Sequence, residues 1–114
     1  MKKLINERTG EVILDDLQTA DTFYTRFRGL MGRPSIPENT GLMIKPCNSV
    51  HCFFMKFPID VIFLDKDNRV VHVAGNMKPG SISPIVRKSY SVIEANATVF
   101  QKKIKIGDIV QMQS

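Results

Sequence analysis

The sequence predicts an α+β protein dominated by β-structure, in which a curled, mostly antiparallel sheet or partly closed barrel packs against one helix at about 20–31. Three observations support this fold class. The 114 residues match the length of one ordinary domain, so residues 1–114 are expected to fold as a single unit. One segment carries apolar residues at helical spacing. Most of the remaining chain consists of short β-branched and aromatic runs between turn-forming residues.

The helix is predicted from a change in the spacing of apolar residues. Thr19 or Asp21 at its start can cap it, and Gly32 followed by Pro34 would end it. Gly29 is a poor interior helix residue, about 1 kcal/mol worse than alanine. It indicates either a close approach by another part of the backbone or fraying near the end of the helix. The apolar residues that share one predicted face are Ala20, Phe23, Phe27 and Leu30.

Strands are predicted over most of the rest of the chain. Residues 3–6 and 11–14 flank Gly10 and could pair as a hairpin. Asp67 and Asn68 tolerate turn conformations and join two β-branched runs into a second hairpin. After the turn-rich loop GRPSIPENTG, strands are predicted at about 41–45, 49–56, 59–65, 69–75, 81–86, 90–94 and 109–112.

The composition is that of a globular protein without a membrane span. With 43% hydrophobic and 24% charged residues the chain differs from disordered sequences, and no apolar stretch is long enough to cross a bilayer. Its opening, MKKLINERTG, has an apolar run of only Leu4 and Ile5, which is too short for a secretory signal. We therefore expect a cytoplasmic protein with no membrane partner, in which the two cysteines stay reduced.

A net charge of +5 raises the question of nucleic-acid binding, because clustered basic residues attract phosphate. The last third of the chain is basic, but no aromatic residues are interleaved with its charges to stack on bases. This pattern favours solvated basic faces and argues against a nucleic-acid partner. The sequence does not indicate an oligomeric state. The basic residues concerned are Arg87, Lys88, Lys102, Lys103 and Lys105.

The stretch CNSVHCFFMKFPID, residues 47 to 60, contains two thiols, an imidazole and a carboxylate. On a straight strand, Cys47 and His51 would lie about 13 Å apart and Cys52 would face the other way. One zinc ion cannot be held at that spacing unless Asn48 bends the chain sharply, and a disulfide between the cysteines fails on a straight strand for the same reason. We therefore predict no metal and no cofactor, and interpret Cys52 as a small buried apolar residue.

Strand alternation over the same stretch would place His51 on one face with Phe53, Met55 and Phe57. A lone histidine there is more often a hydrogen-bonded core residue than a catalyst. Asp60 lies among residues that cannot hydrogen-bond, so a buried carboxylate at this position needs a partner. The candidate partners are Arg26, which borders the apolar face of the predicted helix, Lys56, His51 and backbone amides. Glu94, in YSVIEANA, raises the same question.

These residues resemble a known family. The motifs TRFRGLMGR, GLMIKPCNSVHCFFMKFPIDVIFLDKDNRVV, VIEANA and IGD are similar to those of domain of unknown function 192, a family of small bacterial and archaeal proteins. The resemblance runs from about Thr19 to Val110 and implies a compact β-rich α+β domain with no established activity. One departure is that Ala95 to Thr98 lack a glycine that the family commonly carries after the position of Glu94. The resemblance places the family's characteristic positions at Arg26, Gly29, Leu30, Met31, His51, Met55, Asp60, Asp65, Glu94, Gly107 and Asp108.

Three classes of function follow, and the sequence leaves open whether the protein is an enzyme. The preferred one is a binding module for an unknown small molecule or peptide, with basic and acidic groups beside an apolar wall, in which Arg26 and Lys56 clamp an anionic group of the ligand. The second is a hydrolase-like enzyme that uses His51 with Asp60 or Glu94 as acid and base. The third is a nucleic-acid or protein interaction domain that uses the basic last third. The predicted ligand-binding residues are Arg26, His51, Met55, Lys56, Asp60 and Glu94.

Overall fold

A computed structural model describes residues 2–20, 22 and 29–114 of the chain. In this part of the chain the regular elements are strands that join one sheet. They are β1 (Lys2–Asn6), β2 (Val12–Ala20), β3 (Thr40–Ile44), β4 (Ile59–Leu64), β5 (Val70–Met77), β6 (Ser91–Asn96) and β7 (Val110–Gln113).

The sheet has the order β5-β4-β6-β3-β2-β1-β7 and curls until its two edges meet at one end. Only the β2–β3 pair is parallel, so the prediction of a mostly antiparallel sheet is confirmed. At the meeting point Arg69 and Ile109 form a β-bridge, and Val70 donates its amide hydrogen to the Asp108 carbonyl at 2.8 Å. The result is a curled half-barrel, as the sequence predicted.

Two apolar clusters lie on the two faces of this sheet. The first contains residues of central and edge strands alike, among them Ile93, Val70 and Val110, and fills the inside of the curl. The second lies on the outer face of β3, β4 and β6, where loops cover it. Because β4 is buried on both faces, all of its residues from Ile59 to Leu64 are buried.

Two predicted strands, 49–56 and 81–86, are wrong. The segments do run past each other, since Cys52 donates to the Ser81 carbonyl and Ser83 to that of Val50, each at 2.8 Å. Only one isolated β-bridge forms between them, however. Pro84 has no amide hydrogen to donate, and Phe54 has a φ of 64°, which breaks the extended backbone. Val50, Cys52 and Met55 therefore cover the sheet from a loop.

The predicted helix at about 20–31 is wrong at both ends, and its middle, including Arg26, lies outside the described residues. Ala20 is the last residue of β2, and residues 29–32 form turns. Gly29 and Gly32 have φ values of 51° and 79°, which belong to the left-handed region. Within the described ranges there is no helix, so the predicted α+β class is corrected there to a β-rich fold.

Asp108 closes the end of the half-barrel where the edges meet. Its carboxylate is 6% exposed and accepts hydrogen bonds from Arg8 Nε at 2.7 Å, the Lys105 amide at 2.8 Å and Asn6 Nδ2 at 3.0 Å. These donors, the Arg8 side chain foremost, hold the pKa of Asp108 at about 2. The ionised carboxylate thus ties β1 to the turn before β7.

Stability should therefore fall in acid through Asp108. Its pKa is lower in the folded chain than in the unfolded one, so its contribution is present above about pH 4 and is lost as the pH falls through about 2. We expect Asp108→Asn to lower the free energy of unfolding by about 2 kcal/mol at pH 5 and by progressively less toward pH 2. Urea unfolding across this range measures the difference. Asp67→Asn, at an exposed position, is the matched control, and a pH-independent loss in Asp108→Asn would contradict the assignment.

Candidate functional site

Glu94 is a buried carboxylate at the centre of the sheet. The register of β6 places it opposite Leu42 of β3 and Val61 of β4, so its side chain points to the outer face. It is 5% exposed. Among the residues that the structure describes, none donates a hydrogen bond or forms an ion pair with this carboxylate. A buried acid of this kind is costly to ionise, and such groups are common at functional sites.

A cavity of about 60 Å³ lies above Glu94. The turn at Gly29 covers one side of it: a Cβ added to Gly29 would lie 3.5 Å from Glu94 Oε1 and 3.6 Å from Ile44 Cδ1. His51 is exposed and marks the end that opens to solvent. The apolar wall is formed by Leu30, Ile44, Val50 and Met55, and the other polar residues that line the cavity are Cys47 and Ser49.

Burial raises the pKa of Glu94 to about 7, because the charged form loses its hydration without gaining a described partner. Burial also raises the pKa of the Cys52 thiol, partly offset by a hydrogen bond with Ser81. Near neutral pH the Glu94 carboxyl can therefore hold or release a proton. In its ionised form it can also bind a positively charged group, whose hydrogen bonds would replace the water that the buried carboxylate has lost.

His51 and Met55 were predicted as site residues, and both line this cavity. The His51 ring lies 5.0 Å from that of Phe53, centroid to centroid, with the ring planes tilted by 33°. Phe53 is 42% exposed, whereas Met55 is 7% exposed, so the predicted common face of residues 51, 53, 55 and 57 is wrong. The reason is that these residues lie in a loop rather than on a strand.

Asp60 lies on the opposite face of the sheet from Glu94. The β4–β6 register pairs Asp60 with Ala95, and its side chain points into the curl. It is completely buried, and its two oxygens accept hydrogen bonds from the amides of Asn76 at 2.8 Å and Phe100 at 3.0 Å. Of the candidate partners for this carboxylate, the structure supplies the backbone amides. The described cavity lining does not include Asp60.

The remaining candidates contribute little to the cavity. Lys56 is exposed and is not among its described lining residues, and Arg26 lies outside the described part of the chain. Neither cysteine forms a disulfide within the described part of the chain. Cys52 is completely buried in the outer apolar cluster, in agreement with its interpretation as an apolar core residue. Over the described ranges, no three residues of the types His, Cys, Asp and Glu come together as a metal-binding group.

Sequence reasoning missed most of the apolar wall, namely Leu30, Ile44 and Val50. Their positions follow from how the loops cross β3 and β6, which no local pattern reports. One signal was present: Gly29 was singled out as a place of either close backbone approach or fraying, and the groups close to it are side chains. The structure puts it beside the Glu94 carboxylate, at a φ that favours glycine.

In the described part of the chain, these features define a β-rich protein with a curled seven-stranded sheet. A small cavity on the outer face of the sheet has the Glu94 carboxylate at its floor. The family model of domain of unknown function 192, described as "Uncharacterized ACR, COG1430", matches residues 4–112. The chain belongs to this family, which confirms the resemblance seen in its motifs.

The chain is similar in sequence or in fold to proteins of several organisms. A UPF0127 protein of Thermococcus sibiricus is 43% identical over 76 residues, which cover 60% of this chain and 47% of that relative. The chain thus spans about half the length of that relative. Two crystal structures share the fold with a TM-score of 0.82. One, a protein of unknown function from Novosphingobium aromaticivorans, is 24% identical, with 96% of this chain and 82% of that chain covered. The other, a proposed transcription regulator from Sinorhizobium meliloti, is 22% identical, with 97% and 91% covered.

Within the described residues, no helix is long and apolar enough to cross a membrane.

Proposed function

We propose that the protein is a binding module whose ligand enters the cavity above Glu94. The observation that carries this proposal is a buried carboxylate, with no donor among the described residues, that faces an open cavity. Buried polar groups in folded proteins are nearly always hydrogen-bonded. A ligand that donates to Glu94 would supply a hydrogen bond that none of the described residues makes.

The cavity lining suits a ligand with both polar and apolar parts. Leu30, Ile44, Val50 and Met55 supply apolar surface, while Glu94 and His51 supply acceptors. Specific pockets commonly combine an apolar wall with a few such polar groups. A volume of about 60 Å³ has room for about four non-hydrogen atoms, so the cavity would take one end of a ligand.

This site differs in charge from the anion clamp considered from sequence, in which Arg26 and Lys56 hold an acidic ligand. Lys56 is exposed and outside the described lining, and a carboxylate at the cavity floor would repel an anion. The proposed site therefore contains His51, Met55 and Glu94 and excludes Lys56 and Asp60.

A thermal-shift screen with small amines, alcohols, acids, sugars, nucleotides and short peptides tests the proposal. A ligand at one hundred times its Kd adds about 2.7 kcal/mol, which raises the Tm by several degrees. Gly29→Ala should abolish the shift, because its Cβ would occupy the space between Glu94 and Ile44. Gly32→Ala is the matched control: its φ is also positive, but its Cβ would meet nothing within 4 Å. Equal shifts in both variants, or no shift in the wild type, would contradict a ligand in this cavity.

A hydrolase-like enzyme is the second candidate, favoured by the common cavity of His51 and Glu94. A carboxyl group with a pKa of about 7 can both give and take a proton near neutrality, as general acid–base catalysis requires. Turnover of ester or amide substrates that disappears in both His51→Ala and Glu94→Gln would favour the enzyme. Binding without turnover favours the module.

A further inference from the structure

The chemical character of the cavity narrows the class of ligand. Its described lining contains one buried carboxylate and no lysine or arginine, so these lining residues contribute one negative charge when Glu94 is ionised. Glu94 lies at the closed end, and its two oxygens have no described donor. A cation that reaches this end gains a charge-assisted hydrogen bond to a carboxylate that is only 5% exposed, and such bonds are stronger away from bulk solvent.

The number of acceptors fits an ammonium group, which has three hydrogens to donate. The Glu94 carboxylate supplies two acceptor oxygens, and Ser49 and an unprotonated imidazole nitrogen of His51 offer further acceptors along the wall. A divalent metal ion needs several ligating side chains. Over the described part of the chain, no three His, Cys, Asp or Glu residues meet to supply them.

The mouth of the cavity indicates what the ammonium group is attached to. The His51 ring lines the cavity and lies against the half-exposed ring of Phe53. An apolar or aromatic substituent that leaves the cavity past His51 would meet this pair of rings. Offset aromatic contacts of this kind add to the burial of apolar surface.

We infer that the ligand is a primary amine in its ammonium form, bound by Glu94 at the cavity floor and joined to an apolar or aromatic group that packs against His51 and Phe53. This inference rests on the proposed binding function and names the ligand class of the same site.

The test is an NMR titration of the full chain at about pH 8 with benzylammonium chloride, benzyl alcohol and sodium benzoate. Wild-type protein should bind benzylammonium at least about tenfold more tightly than benzyl alcohol. The shifted amide signals should belong to residues 29–31, 49–51 and 94. Glu94→Gln should remove the tenfold preference, whereas Glu38→Gln, which removes an exposed carboxylate, should keep it.

Two further arms probe the mouth and the charge. Phe53→Ala should weaken benzylammonium several-fold without changing methylammonium binding, while Ile85→Ala, also an exposed apolar residue, should change neither. Benzylammonium should bind more weakly below pH 7, because protons then neutralise Glu94; His51, Cys47 and Cys52 are the other titratable groups that face this region.

The outcomes separate the ligand class from the binding function. Benzyl alcohol or benzoate that binds as tightly as benzylammonium at the cavity amides would overturn the ammonium assignment and leave the binding module standing. Shifts in the thermal screen with none of these probes bound would do the same. If no compound binds in either the thermal-shift screen or the NMR titration, both proposals are overturned.

Discussion

Glu94→Gln is expected to make the protein more stable by about 3 kcal/mol at pH 8 and to leave its stability nearly unchanged at about pH 4. The folded-state pKa of Glu94 is raised from 4.5 to about 7 by burial. Stability from the protonated carboxyl is therefore complete below about pH 4.5 and is lost as the pH rises through about 7. Glutamine has nearly the same shape and stays neutral, so the variant escapes this loss.

Urea unfolding of both proteins between about pH 4 and pH 8 checks this expectation. His51, Cys47 and Cys52 lie near the cavity but are present in both proteins, so their contributions cancel in the difference. Glu38→Gln, at an exposed position, should follow the wild-type curve. If the stability difference between Glu94→Gln and the wild type does not change with pH, the raised pKa of Glu94 is contradicted.

The strands were predictable where turn chemistry and β-branched runs agreed. The hairpin around Gly10 and the turn at Asp67 and Asn68 both form, and Asn68 has a φ of 62° in that turn. Local rules suffice here because each strand pairs with its neighbour in sequence. The departure after Glu94 also has a local account: Thr98, near the place of the missing glycine, has a φ of 75°.

The loop over residues 49–56 was not predictable in the same way. Its apolar residues resemble a strand buried on both faces, and its neighbours 81–86 even lie alongside it. What prevents a regular ladder is the backbone at Phe54 and the missing donor of Pro84. Which residues of such a loop are buried depends on the surface of the sheet that the loop covers. The alternation of apolar and polar residues along the chain does not encode that surface.

The candidate site was half visible from sequence for a related reason. His51, Met55 and Glu94 could be singled out by their residue types, but Asp60 could be singled out on the same grounds. Only the register of β4 against β6 puts Asp60 and Glu94 on opposite faces of the sheet. A one-residue difference in register would have placed both acids on the same face of the sheet.

Asp60 is consequently interpreted as a structural carboxylate that holds two backbone segments together. Its oxygens accept the amide of Asn76, in β5, and the amide of Phe100, in the turn after β6. Phe100 is completely buried, so its amide has no water to replace Asp60. Hydrogen bonds to a charged acceptor are worth about 1.5–3 kcal/mol each, and an orphaned buried amide adds its own penalty.

We therefore expect Asp60→Ala to lower the free energy of unfolding by about 3 kcal/mol or more, and Asp60→Asn by less, because its remaining oxygen can still accept one of the two amides. Urea unfolding measures the loss, with Asp67→Ala as an exposed control. Hydrogen exchange gives the local readout: the Phe100 amide should lose its protection in Asp60→Ala before the amides of the central strand β6 do. Benzylammonium binding by folded Asp60→Asn should equal that of the wild type, because Asp60 and the cavity lie on opposite faces of the sheet. A variant that unfolds normally but loses the ligand would instead place Asp60 in the binding site.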